Sequence, residues 1–366
     1  MPRCIKVAAA QVGAVHRTSS RLETLQRMIQ LLDEAIAQNV QLVVYPETTF
    51  TTFFPRHLIR SPEDLDVFFE SGEDITANSS VKPLFQRAKS GKVDLYVGYA
   101  ERCADGRGYN SSIYYSGSLD RILSKYRKVH LPGTVEPFAD PHAINQLEKR
   151  YFSPGNLGFK AFRIPCLVPD KVTRGGKTAF QGDEDEEDTL GKGDPIAGML
   201  ICNDRRWPEA WRVYGLQGVE LVLCGYNTPA YAPDLYGQKE RNGGTSTSTM
   251  TREEMEADAY HHHRLVMEAN SYMNSCFSIS ASRAGLDDGT YALIGGSSIV
   301  SPRGRTIAQA KGTGDELVVA QIDLDDCKGG KETMFNFGAH RRVDTYGLIA
   351  SQTGVVEPPL IDTTTR

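Results

Sequence analysis

Short runs rich in apolar and β-branched residues recur along this chain, separated by stretches with helical periodicity. That alternation limits the fold more than any other feature. The runs fall at 5–12, 41–45, 94–100, 112–115, 197–202, 219–225, 275–282, 297–300 and 317–324. Several are apolar almost without interruption, so their sheets are covered on at least one face. Between them, Leu22, Leu25, Met28, Ile29, Leu32 and Ile36 repeat at a period near 3.6 and predict a helix over 20–39. Ser20 and Glu23 form a capping-box pattern at its start. Further helices are expected at 81–89, 209–216 and 253–274. Strands alternating with helices predict an α/β protein.

No Pro/Gly-rich linker divides the 366 residues. The chain therefore reads as a single domain over 1–366, with loop insertions near 169–195 and 229–251. The first insertion holds the acidic run 183–188. That run reads as a solvated excursion or as an interaction motif. The formal net charge is −5, which gives no global attraction to nucleic acid or to an anionic membrane. No apolar run approaches the roughly 18 residues needed to cross a bilayer. The N-terminal residues carry no signal-peptide pattern and the C-terminal ones no lipidation address. Seven cysteines without paired spacing fit free thiols in a reducing cytoplasm.

Three segments place polar residues just past strands. In the first, 42–47, Glu47 follows an apolar strand. It reads as a desolvated general base or as a solvent-facing turn residue. The second, 125–133, is a basic cluster ending in Pro132-Gly133, and surface charge and anion binding both fit it. In the third, 198–209, Cys202 ends an apolar strand and a helix begins about six residues later. Its thiol is either a small buried hydrophobe or a nucleophile on an elbow whose backbone N–H groups hold an oxyanion. Together the three supply a carboxylate base, a fixed cation and a thiol. That set suffices for sulfur to attack a carbonyl-type carbon.

The order Pro46-Glu47, then 126–133, then Cys202-Asn203-Asp204 resembles the nitrilase superfamily with its Glu-Lys-Cys triad. The stretches 52–56, 147–152, 202–212, 225–229, 335–337, 340–341 and 346–349 resemble N-carbamoyl-D-amino acid amidohydrolases. The resemblance covers about residues 5–350. It implies a four-layer α-β-β-α sandwich that forms a homodimer or homotetramer through its outer helices. It implies Glu47 as base, Lys128 as oxyanion cation, Cys202 as nucleophile and Glu148 as a second, supporting glutamate. His130 and Asn203 then line the site, Arg205 with Arg206 beside it receives a substrate carboxylate, and Asn227 and Thr228 stand near the substrate.

The chain departs from those carbamoylases at Gln146, where they carry a histidine that helps hold the carboxylate. Glutamine still donates a hydrogen bond but has no charge. The implied activity is hydrolysis of N-carbamoyl-D-amino acids to amino acid, CO2 and ammonia, with no cofactor. Two alternatives stand beside it: an amidase or acyl transferase with the same triad, and a catalytically silent scaffold. No metal is expected. His261, His262 and His263 are consecutive on a predicted helix and point about 100° apart, so they cannot converge on one ion, and no CxxC or HExxH occurs. The expected partner is a small substrate bearing a carboxylate.

Overall fold

The computed structural model describes residues 2–168, 193–236 and 250–361. The expected insertions at 169–195 and 229–251 lie largely outside the described residues, as does the acidic run.

Two sheets dominate. In the first, the strand order is Glu316–Asp323, Cys4–Gln11, Leu42–Val44, Asp94–Arg102, Gly108–Ser116 and Arg121–Arg127, with Glu70–Ser71 beside Asp94–Arg102. In the second it is Thr306–Gln309, Ser298–Val300, Phe277–Ser282, Leu221–Tyr226, Ile196–Ile201 and Phe162–Arg163. The central strands of each sheet are parallel and the flanking ones antiparallel. A small hairpin, Ala284–Asp287 with Tyr291–Ile294, stands apart.

The packing shows four layers. One cluster joins Val7, Leu42, Val44 and Tyr96 of the first sheet to Met199, Ile201, Leu223 and Ile279 of the second, so the sheets are stacked face to face. The Tyr96 hydroxyl crosses between them, donating to the Leu200 carbonyl at 2.9 Å and accepting from Gly225 N–H at 3.1 Å. A second cluster sets helices Arg21–Ala37 and Lys82–Gly91 against the outer face of the first sheet. A third sets helices Pro208–Leu216 and Arg252–Asn274 against the outer face of the second. The expected α-β-β-α sandwich is therefore present.

All four predicted helices form, and the first carries the expected capping box between Ser20 and Glu23. Leu22, assigned to its inner face, is instead 61% exposed, while Leu31 and Ala35 are buried. The basic stretch 125–133 begins on a strand: Arg121–Arg127 closes the sheet edge, where alternating charged residues mask the strand pattern, and 128–133 leave the sheet.

Candidate active site

The carboxyl ends of the parallel strands converge on one corner of the sandwich, where ligands bind in open α/β sheets. Strand Leu42–Val44 leads to Glu47, Ile196–Ile201 to Cys202 and Leu221–Tyr226 to Asn227. Glu47 is fully buried, which removes the solvent-facing reading. Its backbone passes between two glycines of opposite sheets. A Cβ on Gly98 would lie 2.6 Å from the Pro46 carbonyl oxygen, and one on Gly225 would lie 2.7 Å from Glu47 N. Only glycine tolerates such an approach from either side. Asn227 adds a third hold, its Nδ2 donating to the Glu47 carbonyl at 2.8 Å.

Lys128 follows strand Arg121–Arg127 and is fully buried between two carboxylates. Its Nζ donates to Glu47 Oε1 at 2.7 Å and to Glu148 Oε2 at 2.6 Å. Asn110 Nδ2 donates to Glu47 Oε1 at 2.7 Å, and Gln146 Nε2 to Glu148 Oε1 at 2.7 Å. Burial works to discharge the lysine, but the acidic groups around it, Cys202, Glu148 and Glu47, hold its pKa above the usual value. Burial raises the Glu148 carboxyl to about 7, against the pull of Lys128. Glu47 Oε2 is buried and has no hydrogen-bond partner among the described residues, leaving one carboxylate oxygen uncommitted.

Cys202 stands at the expected elbow, between strand Ile196–Ile201 and a short 3-10 turn, Cys202–Arg206, that precedes helix Pro208–Leu216. Its φ of 48° is unusual for a side-chain-bearing residue and persists where surroundings over-determine it. Burial and the charge of Glu47 raise its thiol pKa, while Lys128 and Arg205 oppose the rise. The resting sulfur is therefore a thiol, and attack needs a base.

The residues after Cys202 hold the elbow. Asp204 is fully buried and accepts from the Tyr126 hydroxyl at 2.7 Å and from His130 N–H at 2.8 Å. Arg205, also fully buried, donates through Nη1 to the Cys202 carbonyl at 2.6 Å and through Nη2 to Thr228 Oγ1 at 2.8 Å. Its Nε donates to His263 Nδ1 at 3.1 Å. His263 Nε2 lies 3.0 Å from the Tyr226 hydroxyl, which donates to the Gly295 carbonyl at 2.7 Å. That chain assigns the proton to Nε2. Burial and the cations Arg205 and Arg206 keep His263 neutral, well below its ordinary pKa.

A cleft of about 180 Å³ opens over the sulfur. It is lined by Gln146, Cys202, Asn203, Arg205, Arg206, Asn227 and Thr228, together with Leu235 and Tyr236. Drug-sized ligands occupy roughly 300–1,000 Å³, so this cleft suits a smaller molecule. Glu47, Lys128 and Glu148 are buried and do not line it. His130 does not line it either; it stacks on Trp207 at 4.7 Å. Arg205 borders the cleft, but its guanidinium is already engaged by protein acceptors. Arg206 is half-buried, stands over the Tyr236 ring at 5.6 Å and pairs with no carboxylate among the described residues.

Asn110, Asp204, Tyr226, Tyr236 and His263 are the site residues the sequence reading missed. Asn110 interrupts an otherwise aromatic and hydroxyl-rich strand, which was a usable signal. His263 was hidden in a triplet whose other two members are exposed. Among the described residues no cluster of His, Cys, Asp or Glu could hold a metal, and no helix is long and apolar enough to cross a membrane. All seven cysteines are unpaired.

The carbon-nitrogen hydrolase family model matches residues 6–332. An N-carbamoylputrescine amidase of Oryza sativa subsp. japonica is 25% identical over 96% of both chains. A citrullinase of Francisella tularensis is 24% identical over 87% of this chain and 89% of that one. A carbon-nitrogen hydrolase structure from Helicobacter pylori G27 superposes with a TM-score of 0.70 at 21% identity, covering 95% of this chain and 99% of that one.

Proposed function

The chain belongs to the carbon-nitrogen hydrolase family, and from that premise we propose that it hydrolyses an N-carbamoyl amino acid, of D configuration, to the amino acid, CO2 and ammonia. Arg206 carries the reading. A guanidinium that pairs with no carboxylate among the described residues lines the cleft that holds the nucleophilic sulfur. A guanidinium receives a carboxylate as a planar two-point fork and fixes its orientation. The rice and Francisella relatives are named for ureido compounds, which supports a ureido carbon at the reacting position.

In this mechanism Glu47 takes the Cys202 proton and the thiolate attacks the ureido carbon. The Lys128 ammonium and the backbone N–H groups opening the Cys202–Arg206 turn receive the oxyanion. Glu47 returns the proton to the departing amine, ammonia leaves, and an S-carbamoyl enzyme remains. Glu47, again a carboxylate, deprotonates a water that attacks the thiocarbamate carbon; the C–S bond breaks, and the proton held by Glu47 passes to the Cys202 sulfur, restoring the thiol. The released carbamate loses CO2 to give the free amino acid. Glu148 and Asn110 orient Lys128 and Glu47 without touching substrate.

A second reading keeps the triad and removes the carboxylate requirement, giving a general amide hydrolase. Gln146 favours it, because this uncharged side chain lines the cleft and donates to Glu148. Ammonia release across D- and L-N-carbamoyl amino acids, simple amides and nitriles separates the two. The first reading expects N-carbamoyl-D-amino acids to be turned over fastest. Faster turnover of simple amides overturns it.

We also propose a homodimer or homotetramer in a reducing cytoplasm. Val213, Leu216, Leu265 and Tyr272, exposed on the two outer helices of the second sheet, support such an interface.

A further inference from the structure

A second cavity, of about 260 Å³, adjoins the active-site cleft and shares Arg206 and Tyr236 with it. Its other walls come from one face of helix Arg252–Asn274: Met255, Asp258, Ala259 and His262. These positions lie three and four residues apart and so project together. Met255 and Ala259 are buried and give the cavity an apolar wall. Asp258 is half-buried beside them and His262 is exposed. The Asp258 carboxylate has neither a hydrogen bond nor an ion pair among the described residues, whereas two nearby acids of the same helix are engaged. Glu254 takes part in the capping box with Thr251, and Glu256 accepts from Arg252.

Three chemistries therefore follow one another from the sulfur outwards. Cys202 lines only the first cavity, Arg206 lines both, and Asp258 lines only the second. A substrate with its ureido carbon at Cys202 and its carboxylate at Arg206 has one substituent left to send onward. That substituent crosses the apolar surface of Met255 and Ala259 and ends at the Asp258 carboxylate. We propose that this cavity is a side-chain subsite and that it selects N-carbamoyl amino acids whose aliphatic side chain ends in an ammonium group. The inference rests on the N-carbamoyl amino acid reading above and adds the side chain to it. The aliphatic stem buries against the wall while the charged head meets Asp258. Arg206 and Asp258 then divide the substrate's opposite charges between them, so a reversed charge arrangement is rejected.

The test compares N-carbamoyl-D-lysine with N-carbamoyl-D-norleucine, nearly equal in length and differing in the ammonium. The full-length enzyme and its Asp258→Asn and Asp258→Glu variants are assayed for kcat and KM. The parent should prefer the lysine derivative by about tenfold or more in kcat/KM, the lower end for a charge-assisted hydrogen bond. In Asp258→Asn that ratio should fall to within about twofold of one, through a higher KM for the lysine derivative. Asp258→Glu should keep part of it. A parent without the preference, or an Asp258→Asn variant that loses both substrates equally, overturns the subsite. If neither compound is hydrolysed while simple amides are, the N-carbamoyl reading itself fails and the subsite falls with it. Turnover of both without selectivity overturns the subsite alone.

Discussion

Asp204 Oδ1 accepts from both the backbone N–H and the ring Nδ1 of His130, each at 2.8 Å. Asp204 lies two residues beyond the nucleophile, and His130 lies two beyond Lys128. One fully buried carboxylate therefore ties the turn bearing the thiol to the strand end bearing the cation. Its second oxygen accepts from Tyr126 at 2.7 Å and from Ile201 N–H at 3.3 Å. The separation of sulfur and ammonium is thus set by a residue that is not in the triad.

Asp204→Asn tests that clamp. An amide keeps the size but presents one acceptor oxygen where the carboxylate presents two. At least one buried donor is left without a partner, which costs about 1–3 kcal/mol. For a chain of this length that lowers Tm by roughly 1–4 °C. Loosening the turn should also lower kcat by about tenfold or more with little change in KM, because a displacement near 1 Å at the reacting atoms costs up to ~100-fold. Steady-state kinetics with calorimetry on the same sample check both effects. An unchanged kcat in a destabilised protein would reduce Asp204 to a purely structural role.

Cys202→Ala, Glu47→Gln and Lys128→Met should each reduce kcat by at least about 10³-fold, and their combinations should add little. The reason is geometric: Lys128 bonds directly to Glu47, so neither works in its intended charge state without the other. Cys202→Ala should keep the parent's far-UV circular dichroism and Tm within a few degrees, since a single sulfur is removed. Losses that multiply in the double variants would show that the three residues act separately.

Glu47 and Cys202 were legible because each follows a strand that was itself legible, and Cys202 sits at its predicted elbow; Lys128 was legible only through the motif around it, since its strand was not. What lay hidden depended on distance in sequence. Nothing local to Gly98 or Gly225 reveals that Glu47 runs between them; that needs the two sheets stacked. Nor does the basic stretch 125–133 announce a strand, since edge strands tolerate charge on both faces. Asn110 and His263 are engaged only through partners far along the chain. Arg205 and Arg206 look interchangeable in the sequence. The 3-10 turn sends one inward and leaves the other at the cleft.

Glu148 should make stability depend on pH. Its carboxyl is raised by burial to about 7, above the ordinary 4.5 of an unfolded chain. Between those values the folded state binds a proton that the unfolded state has released, so stability falls as pH rises through this window. Lys128 does not compensate there, because its own raised pKa affects stability only at more alkaline pH. Glu148→Gln cannot titrate. The Tm of the variant relative to the parent should therefore climb from pH 5 to pH 8. A difference that stays flat, or falls, across that range would show that Glu148 does not take up its proton there.

Arg205 and Arg206 make opposite predictions. Arg205 is fully buried and donates to the Cys202 carbonyl, Thr228 and His263, so Arg205→Ala loosens the nucleophile for every substrate. An N-carbamoyl amino acid and its α-carboxamide analogue should both lose activity, by similar factors. Arg206 lines the cleft without a carboxylate partner among the described residues, so Arg206→Ala should penalise only the carboxylate substrate. Losing a charge-assisted hydrogen bond costs about 1.5–3 kcal/mol, or roughly 10- to 150-fold in kcat/KM. Arg206→Lys should recover part of it, because the charge returns without the planar fork. The quantity to measure is the ratio of kcat/KM for acid over amide in the parent and each variant. If Arg205→Ala erases the ratio and Arg206→Ala preserves it, the buried guanidinium reads the carboxylate after all. If neither changes it, no arginine here selects for a carboxylate, and the general amide hydrolase reading takes its place.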